Sequence, residues 1–246
     1  MQANKEWFSE WFDSPYYHIL YKNRDEHEAE FFLRNLVDKL ALTREQKLID
    51  LACGKGRHSI YLNSLGYNII GVDLAAQSIA SAKVFENDRL RFDVQDLRNL
   101  PYKNEFDIAL NLFTSFGYFD CDETNRNVMQ QINTILKPNG LVVIDFMNVE
   151  CVLANLVPFE EKEIEGILFT ITKVVKNGIL IKRIDFKDAG KTFSFCEEVQ
   201  VLGIADFERL FELSGIKKLA VFGNYNLDVF DVKRADRLIL VGQKNA

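Results

Sequence analysis

The sequence is poor in the residues from which zinc sites and disulfide frameworks are built. Its 246 residues include four cysteines and three histidines, and no two cysteines form a CxxC pair. The cysteines lie far apart, at Cys53, Cys121, Cys151 and Cys196. This spacing disfavours a metal site or a disulfide scaffold, so we expect a chain that works in the reducing cytoplasm without a bound metal.

Long apolar runs and an excess of basic residues are also lacking. No segment approaches the roughly 20 apolar residues of a membrane span, and residues 1–7 lack the apolar centre of a signal peptide. The formal net charge is −6 at pH 7. Because a protein that grips a phosphate backbone needs a basic stripe, this balance argues against nucleic acid. We therefore expect a soluble cytoplasmic protein with neither a membrane nor a nucleic-acid partner.

What the sequence does contain is an alternation of short apolar strands with amphipathic helices. Strands that are apolar throughout are typical of a parallel sheet covered by helices on both faces. Such runs lie at 47–51, 67–72, 90–94, 106–112 and 141–146. A helix at 205–214 and strands at 218–222 and 237–241 complete the pattern. This order predicts a doubly wound, Rossmann-like α/β fold with a mostly parallel seven-stranded sheet.

The pattern changes between residues 150 and 203. Two apolar runs, 167–172 and 179–184, flank Asn177-Gly178, which is a strong signal for a β-hairpin. Residues 193–202 would add a third antiparallel strand. We predict a small antiparallel β-rich insertion here, and three roles stay open for it: a lid over the acceptor, a surface hairpin, or an edge through which two copies pair as a homodimer.

Residues 1–44 are the other departure from the alternation. They are rich in aromatic residues and then carry a helical apolar stripe, so we predict an N-terminal helical cap. No low-complexity linker interrupts the chain. The cap, the sheet and the insertion are therefore predicted to form one domain over residues 1–246.

A glycine loop follows the first predicted strand. Residues 50–56 read Asp-Leu-Ala-Cys-Gly-Lys-Gly, and a helix comes next, an order that lets a nucleotide cofactor approach a helix N-terminus. Gly54 and Gly56 have no Cβ to block that approach. Asp73 closes the next strand, where a carboxylate can hold both ribose hydroxyls. Since Ser59 stands where dinucleotide-binding loops carry a third small residue, the loop alone leaves both NAD and S-adenosylmethionine (SAM) open.

Five segments in a fixed order carry a resemblance to a known family. They are residues 50–56, 70–75, 92–97, 106–111 and 136–141. They resemble the successive motifs of class I SAM-dependent methyltransferases, with Ala52 in place of the first glycine of the family's acid-x-G-x-G-x-G loop. The resemblance covers about residues 45 to 150 and points to the superfamily, not to a substrate.

The resemblance implies a role for each matching residue. Asp50 would bind the methionine amino group, Asp73 the ribose and Asp96 the adenine amino group. Asp93 is a rival for the last role. Leu74 and Leu97 would sandwich the adenine ring. Asn111 and Phe113 would border the sulfonium. The implied cofactor-binding set is Asp50, Cys53, Gly54, Gly56, Asp73, Leu74, Asp96, Leu97, Asn111 and Phe113.

The methyl acceptor is less well marked. Methyl transfer is an in-line displacement that depends on alignment, and a base is needed only if the acceptor must lose a proton. No fixed catalytic residue is therefore expected, although His18 and Tyr21 are candidates. The segment after the fourth strand lacks the [N/D]-P-P-[Y/F] signature of enzymes that methylate exocyclic amines or glutamine amides. The predicted acceptor pocket is Tyr16, Tyr17, Thr114, Ser115 and Tyr118.

The leading hypothesis is a SAM-dependent methyltransferase that methylates an O, N or C nucleophile of a small molecule and releases S-adenosylhomocysteine (SAH). One alternative is an NAD-dependent oxidoreductase, which the later motifs disfavour. Another is a non-catalytic SAM-binding protein. Arg57 also has two open interpretations, because it can cap nearby carbonyls or reach the cofactor's carboxylate.

Overall fold

A computed structural model describes residues 7–22, 26–119 and 121–246. The helices in this part of the chain are α1 (Trp7–Trp11), α2 (Pro15–Leu20), α3 (Glu26–Lys39), α4 (Arg57–Ser64), α5 (Ala76–Ala82), α6 (Asp122–Ile135), α7 (Val149–Ala154) and α8 (Ile204–Leu213). The strands are β1 (Lys47–Leu51), β2 (Asn68–Asp73), β3 (Leu90–Val94), β4 (Phe106–Asn111), β5 (Leu136–Met147), β6 (Phe159–Ile164), β7 (Ile167–Lys176), β8 (Ile179–Asp188), β9 (Lys191–Gln200), β10 (Ile216–Phe222) and β11 (Arg237–Lys244). Of the described helices, none is long and apolar enough to cross a membrane.

Seven strands form one sheet in the order β10-β11-β5-β4-β1-β2-β3. Strands β1 to β5 pair in parallel, and β11 runs antiparallel to both β5 and β10. The central strands β1 and β4 are almost entirely buried, which explains their near-continuous apolar sequence. The predicted doubly wound, mostly parallel seven-stranded sheet is confirmed.

Helices cover both faces of this sheet. Helices α6 and α8 bury Met129 and Phe207 against one face, while α3 and α4 bury Phe32 and Leu62 against the other. The strand order reverses between β1 and β4, so the loops that follow these two strands diverge. A crevice therefore opens at the carboxyl ends of the strands.

The fifth strand begins earlier than predicted. It starts at Leu136 rather than at 141, because Leu136 pairs with Phe106 while Leu141 pairs with Ile108. The residues between Leu136 and Leu141 bulge from the ladder, and Asn139 has a left-handed φ of 63° there. Residues 137–140 therefore form a bulge inside the strand.

The insertion forms a second sheet, an antiparallel meander in the order β6-β7-β8-β9. Its central hairpin turns at Asn177 and Gly178, whose φ angles of 53° and 74° fit the two-residue turn predicted from the sequence. Strand β6 was not predicted. Its sequence is mostly charged and it lies at the edge of the sheet, where side chains need not be apolar.

Helices α1 and α2 pack on the second sheet and share a core with it. Trp11 and Leu20 are buried in one cluster with Phe169, Ile184 and Phe186. The residues from β7 and β8 come from alternate positions, which place their side chains on one face. The N-terminal helices and the insertion are thus joined by a core distinct from those of the main sheet.

A buried ion pair connects β5, β11 and the loop after β4. Arg237 Nε donates to Asp145 Oδ1 over 2.8 Å, and the Asp145 side chain is 0% exposed. The carboxylate also accepts the amide of Phe113, and the Asp145 carbonyl accepts the amide of Thr114. Phe113 and Thr114 have left-handed φ angles of 57° and 61°, which non-glycine residues keep only when neighbours hold them there. Asp145 therefore fixes the loop.

Arg237→Met is expected to reduce the free energy of unfolding by about 3–5 kcal/mol, because it removes the cationic partner of the buried Asp145 carboxylate. Urea denaturation followed by circular dichroism measures this loss. Arg183→Met is the matched control: Arg183 Nε also lies 2.8 Å from its partner Asp185, but the Arg183 side chain is 62% exposed. The control should lose less than about 1 kcal/mol. Similar losses in the two variants would contradict the argument from burial.

Candidate functional site

A cavity of about 860 Å³ lies at the carboxyl ends of the parallel strands. Ligands of doubly wound sheets bind at this end, beside the strands where the order reverses. The predicted site residues that line the cavity are Tyr17, His18, Tyr21, Cys53, Gly54, Asp73, Leu74, Asp96, Leu97, Phe113, Ser115 and Tyr118. The predicted site residues that do not line it are Tyr16, Asp50, Gly56, Asn111 and Thr114.

The two glycines of the loop after β1 have different surroundings. A Cβ added to Gly54 would meet no atom within 4 Å, and this open face borders the cavity. A Cβ on Gly56 would lie 2.4 Å from the Phe92 ring. Gly56 is thus required by packing against β3, not by the approach of a ligand. Ala52, which replaces a glycine of the resembling family, has a left-handed φ of 62°.

Asp73 holds the loop while facing the cavity. One carboxylate oxygen accepts the Gly54 amide and the other accepts the Ala75 amide, each at 2.8 Å. Burial raises the pKa of Asp73 above its ordinary value, although these amides oppose the shift. The carboxylate is therefore fixed in direction by the backbone, at the edge of the cavity.

Asp96 and its rival Asp93 have different positions. Asp96 lines the cavity and accepts hydrogen bonds from the guanidinium and the amide of Arg98. Burial raises the pKa of Asp96, but the bonds to Arg98 outweigh it and hold that pKa below its ordinary value. Asp93 does not line the cavity and accepts a long hydrogen bond of 3.4 Å from Tyr102.

Asp50 and Asn111 lie behind the cavity wall. The Asp50 carboxylate accepts a hydrogen bond from Ser59 Oγ at 2.7 Å, and burial raises its pKa to about 7. Asn111 Nδ2 donates to the carbonyls of Leu51 and Ser115, while its Oδ1 has no partner among the described residues. Asp50 thus supports the start of α4, and Asn111 ties the end of β1 to the loop after β4.

The N-terminal tyrosines separate into two groups. Tyr17 and Tyr21 lie one helical turn apart and line the cavity, together with His18. Tyr16 points to the second sheet instead, where its hydroxyl donates to Asp188 at 2.8 Å. Its ring packs against the aromatic core of that sheet. The prediction that Tyr16 lines the acceptor pocket is not met, because α2 turns this residue away from the cavity.

The loop after β4 presents Phe113 to the cavity. The Cζ atom of Arg57 lies 4.7 Å from the centre of the Phe113 ring, and the His58 ring stacks on it at 5.0 Å. Arg57 also lines the cavity, beside the glycine loop. Thr114 points away, since its Oγ1 accepts a hydrogen bond from Arg237 at 3.0 Å.

His18 is a neutral imidazole near neutral pH. Burial and the positive charge of Lys55 lower the pKa of His18 to about 4, while Asp13 opposes the shift. His18 and Lys55 both line the cavity. Burial, the larger cause, therefore favours the neutral imidazole, and the charge of Lys55 adds to this effect.

Several lining residues were not predicted. Helical spacing marked the aromatic N-terminal segment as a helix, but this spacing does not tell which face meets a cavity and which meets a sheet. The charged residues that were missed form no pattern in the sequence, because they come from three separate elements. The residues missed include Phe8, Phe12, Lys22, Glu30, Lys55, Phe116 and Phe119.

Comparison with known proteins bears on the family. A family model described as a methyltransferase domain matches residues 48–140. The glycine/sarcosine N-methyltransferase of Parasynechococcus marenigrum (strain WH8102) is 27% identical over 218 residues, which cover 83% of this chain and 73% of that protein. The matches with several other curated methyltransferases span about half of the length of those proteins.

Solved structures share the fold over almost the whole chain. An S-adenosylmethionine-dependent methyltransferase from Clostridium acetobutylicum ATCC 824 has a TM-score of 0.79 at 18% identity, covering 94% of this chain and 96% of that one. SAM-bound CalS10, an amino pentose methyltransferase from Micromonospora echinaspora, has a TM-score of 0.70 at 16% identity, covering 94% and 97%. At these identities the likeness shows the fold.

The motif order, the sheet topology and the comparisons all point to SAM-dependent methyl transfer. The comparisons support an enzyme that uses SAM as its methyl donor. Residues 48–140 match a methyltransferase domain, and the fold of almost the whole chain is that of SAM-dependent methyltransferases.

Proposed function

We propose that the enzyme transfers the methyl group of SAM to an amine nitrogen of a small molecule. The cavity carries this proposal: small-ligand pockets range from about 300 to about 1,000 Å³, so one of about 860 Å³ has room for SAM and one further small molecule. The relatives favour an amine, because one is called a glycine/sarcosine N-methyltransferase and another an amino pentose methyltransferase.

The residues of the cavity fit SAM at its nucleoside end. Each carboxylate oxygen of Asp73 accepts one backbone amide and keeps a further lone pair, which suits the two ribose hydroxyls. Leu74 and Leu97 line the same region and would enclose the adenine ring, with Asp96 accepting from the adenine amino group. Arg98 already makes four contacts with the Asp96 carboxylate, two to each oxygen, so the adenine amino group would compete with that side chain for the carboxylate.

The methionine end of SAM would lie along the glycine loop. The open face of Gly54 leaves space for it, and the cations Lys55 and Arg57 line the cavity nearby, where they would receive the carboxylate. Asp50 and Asn111 would act from behind the wall, by holding the loops after β1 and β4 in place.

When bound, SAM supplies a methyl carbon that the acceptor's lone pair attacks in line. The C–N bond forms as the C–S bond breaks, its electron pair stays on the sulfur of SAH, and a proton leaves the nitrogen for solvent. The chain's own task is to hold a neutral amine in place. Burial favours the neutral amine over the ammonium, as it favours neutral His18 in the same cavity wall.

A histidine base is not part of this proposal. With a pKa of about 4, His18 holds a proton too weakly to act as an efficient general base near neutral pH. We assign it instead as a neutral residue of the cavity wall, between Tyr17 and Tyr21 in the chain. This assignment changes the role that the sequence suggested for His18.

Asp73→Asn tests the ribose assignment. Hydrogen bonds to a charged group contribute about 1.5–3 kcal/mol, so SAM binding should weaken roughly 10- to 100-fold. Isothermal titration calorimetry measures the change. Asp93→Asn is the matched control, because Asp93 pairs with β2 at the same edge of the sheet but does not line the cavity. Unchanged affinity in Asp73→Asn would show that the assignment is wrong.

A panel of matched amines and alcohols tests the proposed function. We expect SAH release with one or more amines (glycine, ethanolamine, glucosamine) and not with the corresponding alcohols (glycolate, ethylene glycol, glucose). Release with alcohols alone would contradict the proposal. In a thermal-shift assay of the same protein, SAM should stabilise the fold and NAD should not, since a ligand that binds the native state stabilises it.

His18→Gln tests the neutral state of His18. The pKa of His18 is about 4 in the fold and about 6.5 ordinarily, so protonation favours the unfolded chain. The contribution of neutral His18 to stability is therefore complete above pH 6.5 and is lost as the pH falls through 4. The melting temperature of the wild type should fall more steeply than that of His18→Gln over this range, and parallel curves would refute the assignment.

A further inference from the structure

A second cavity, of about 300 Å³, lies between the start of α6 and helix α8. It shares no lining residue with the main cavity at the carboxyl ends of the parallel strands. Its volume is at the lower end of the range for small-ligand pockets, which begins near 300 Å³. A ligand of the second cavity would therefore be small and would not displace the methyl donor.

The wall of the second cavity carries exposed charges of both signs. Arg126 and Arg209 supply two guanidinium groups, and Asp122 and Glu123 supply two carboxylates. Among the described residues, none of these four side chains forms an ion pair or a hydrogen bond. A guanidinium binds a carboxylate through paired hydrogen bonds, and a carboxylate accepts from an ammonium. The wall therefore suits a ligand that carries both groups.

The rest of the second cavity combines an apolar surface with one unsatisfied polar atom. Leu202, Leu210 and Leu213 line it, and the first two are buried. Asn125 also lines it and is 1% exposed, and its Oδ1 has no hydrogen-bond partner among the described residues. Because a buried oxygen without a donor is costly, a ligand that brings an N–H group to Asn125 would remove an existing penalty.

Asn125 also connects the second cavity to the main one. Its Nδ2 donates to Gln200 Oε1, and Gln200 Nε2 donates to the Phe119 carbonyl at 3.0 Å. Phe119 lines the main cavity, and the Cζ atom of Arg98 lies 5.0 Å from the centre of the Phe119 ring. Arg98 in turn donates to Asp96, the residue assigned to the adenine. A short series of direct contacts therefore links Asn125 to the site of the methyl donor.

We propose that the second cavity binds an α-amino acid with an apolar side chain, and that this ligand strengthens the binding of the methyl donor. The two arginines take its carboxylate, Asn125 Oδ1 and the two acids receive its ammonium, and the leucines enclose its side chain. Hydrogen bonds in a chain polarise one another, so a bond to Oδ1 makes Asn125 Nδ2 a stronger donor to Gln200. The loop that carries Phe119 is then held more firmly in the wall of the main cavity. The inference does not depend on which acceptor is methylated.

Isothermal titration calorimetry of the full-length protein tests the site, with L-leucine as the probe. Two analogues each lack one charged group: isocaproate has no ammonium, and isoamylamine has no carboxylate. Both should bind roughly 10-fold more weakly than L-leucine, or weaker still. Arg126→Met and Arg209→Met should weaken the binding of L-leucine by a similar factor. Arg91→Met is the matched control, because Arg91 is also exposed but lines neither cavity, and its affinity should stay within about 2-fold.

SAH measures the coupling between the two cavities, because it has the adenosyl group of SAM but no methyl group to transfer. With saturating L-leucine, the dissociation constant of SAH should fall roughly 5-fold in the wild type. Saturating SAH should lower the dissociation constant of L-leucine by the same factor, since coupling between two binding sites is reciprocal. At the same concentration of L-leucine, Arg209→Met should show a smaller effect on SAH.

The outcomes decide both parts of the inference. If L-leucine does not bind, the inference is wrong. If it binds to all three arginine variants as it binds to the wild type, its site is not the second cavity and the inference is again wrong. Binding that leaves the affinity for SAH unchanged would refute the effect on the methyl donor. None of these results bears on amine methylation, which the panel of amines and alcohols tests separately. Melting temperatures of the variants verify that each one is folded.

Discussion

The carboxylate of Asp145 is the constraint on which the geometry of the site depends. A buried carboxylate loses its hydrogen bonds to water, so groups of the protein must replace them. Its partners come from the Phe113 amide after β4, from Arg237 on β11 and from the Tyr225 hydroxyl beyond β10. Since these partners are satisfied together in one arrangement, three distant segments are fixed at once. Phe113 in turn packs against Arg57, so the constraint extends from the end of β5 to the glycine loop.

The cavity lies between two parts of the molecule that are stabilised separately. The loops after β1 to β4 are held by the main sheet and its two cores. The N-terminal helices that complete the wall take their stability from aromatic contacts with the second sheet. We therefore expect donor and acceptor recognition to respond to different substitutions, because the residues that would hold SAM and those that would face the amine belong to different packing units.

The donor side was predictable from the sequence because its signals are local. A strand, a loop and the next strand place Gly54 and Asp73 at the same edge of the sheet, whatever the rest of the chain does. Other placements depend on distant partners: Tyr16 contacts a residue 172 positions away, and Arg237 contacts Asp145 across 92. A glycine such as Gly56 signals only that a Cβ does not fit, and the sequence cannot tell whether a ligand or a ring takes that space.

Gln200, the last residue of β9, attaches the second sheet to the site. Its backbone amide donates to the Gly117 carbonyl and its side chain to the Phe119 carbonyl, both in the loop after β4. The turns at Asn177 and Gly190 have open space around their glycines, in contrast to the packed junction. The insertion is therefore divided into a packed junction at Gln200 and open hairpin turns. None of the described residues of β6 to β9 lines the cavity, so changes in the open turns can reach the cavity only through this junction and through helices α1 and α2, which pack on this sheet.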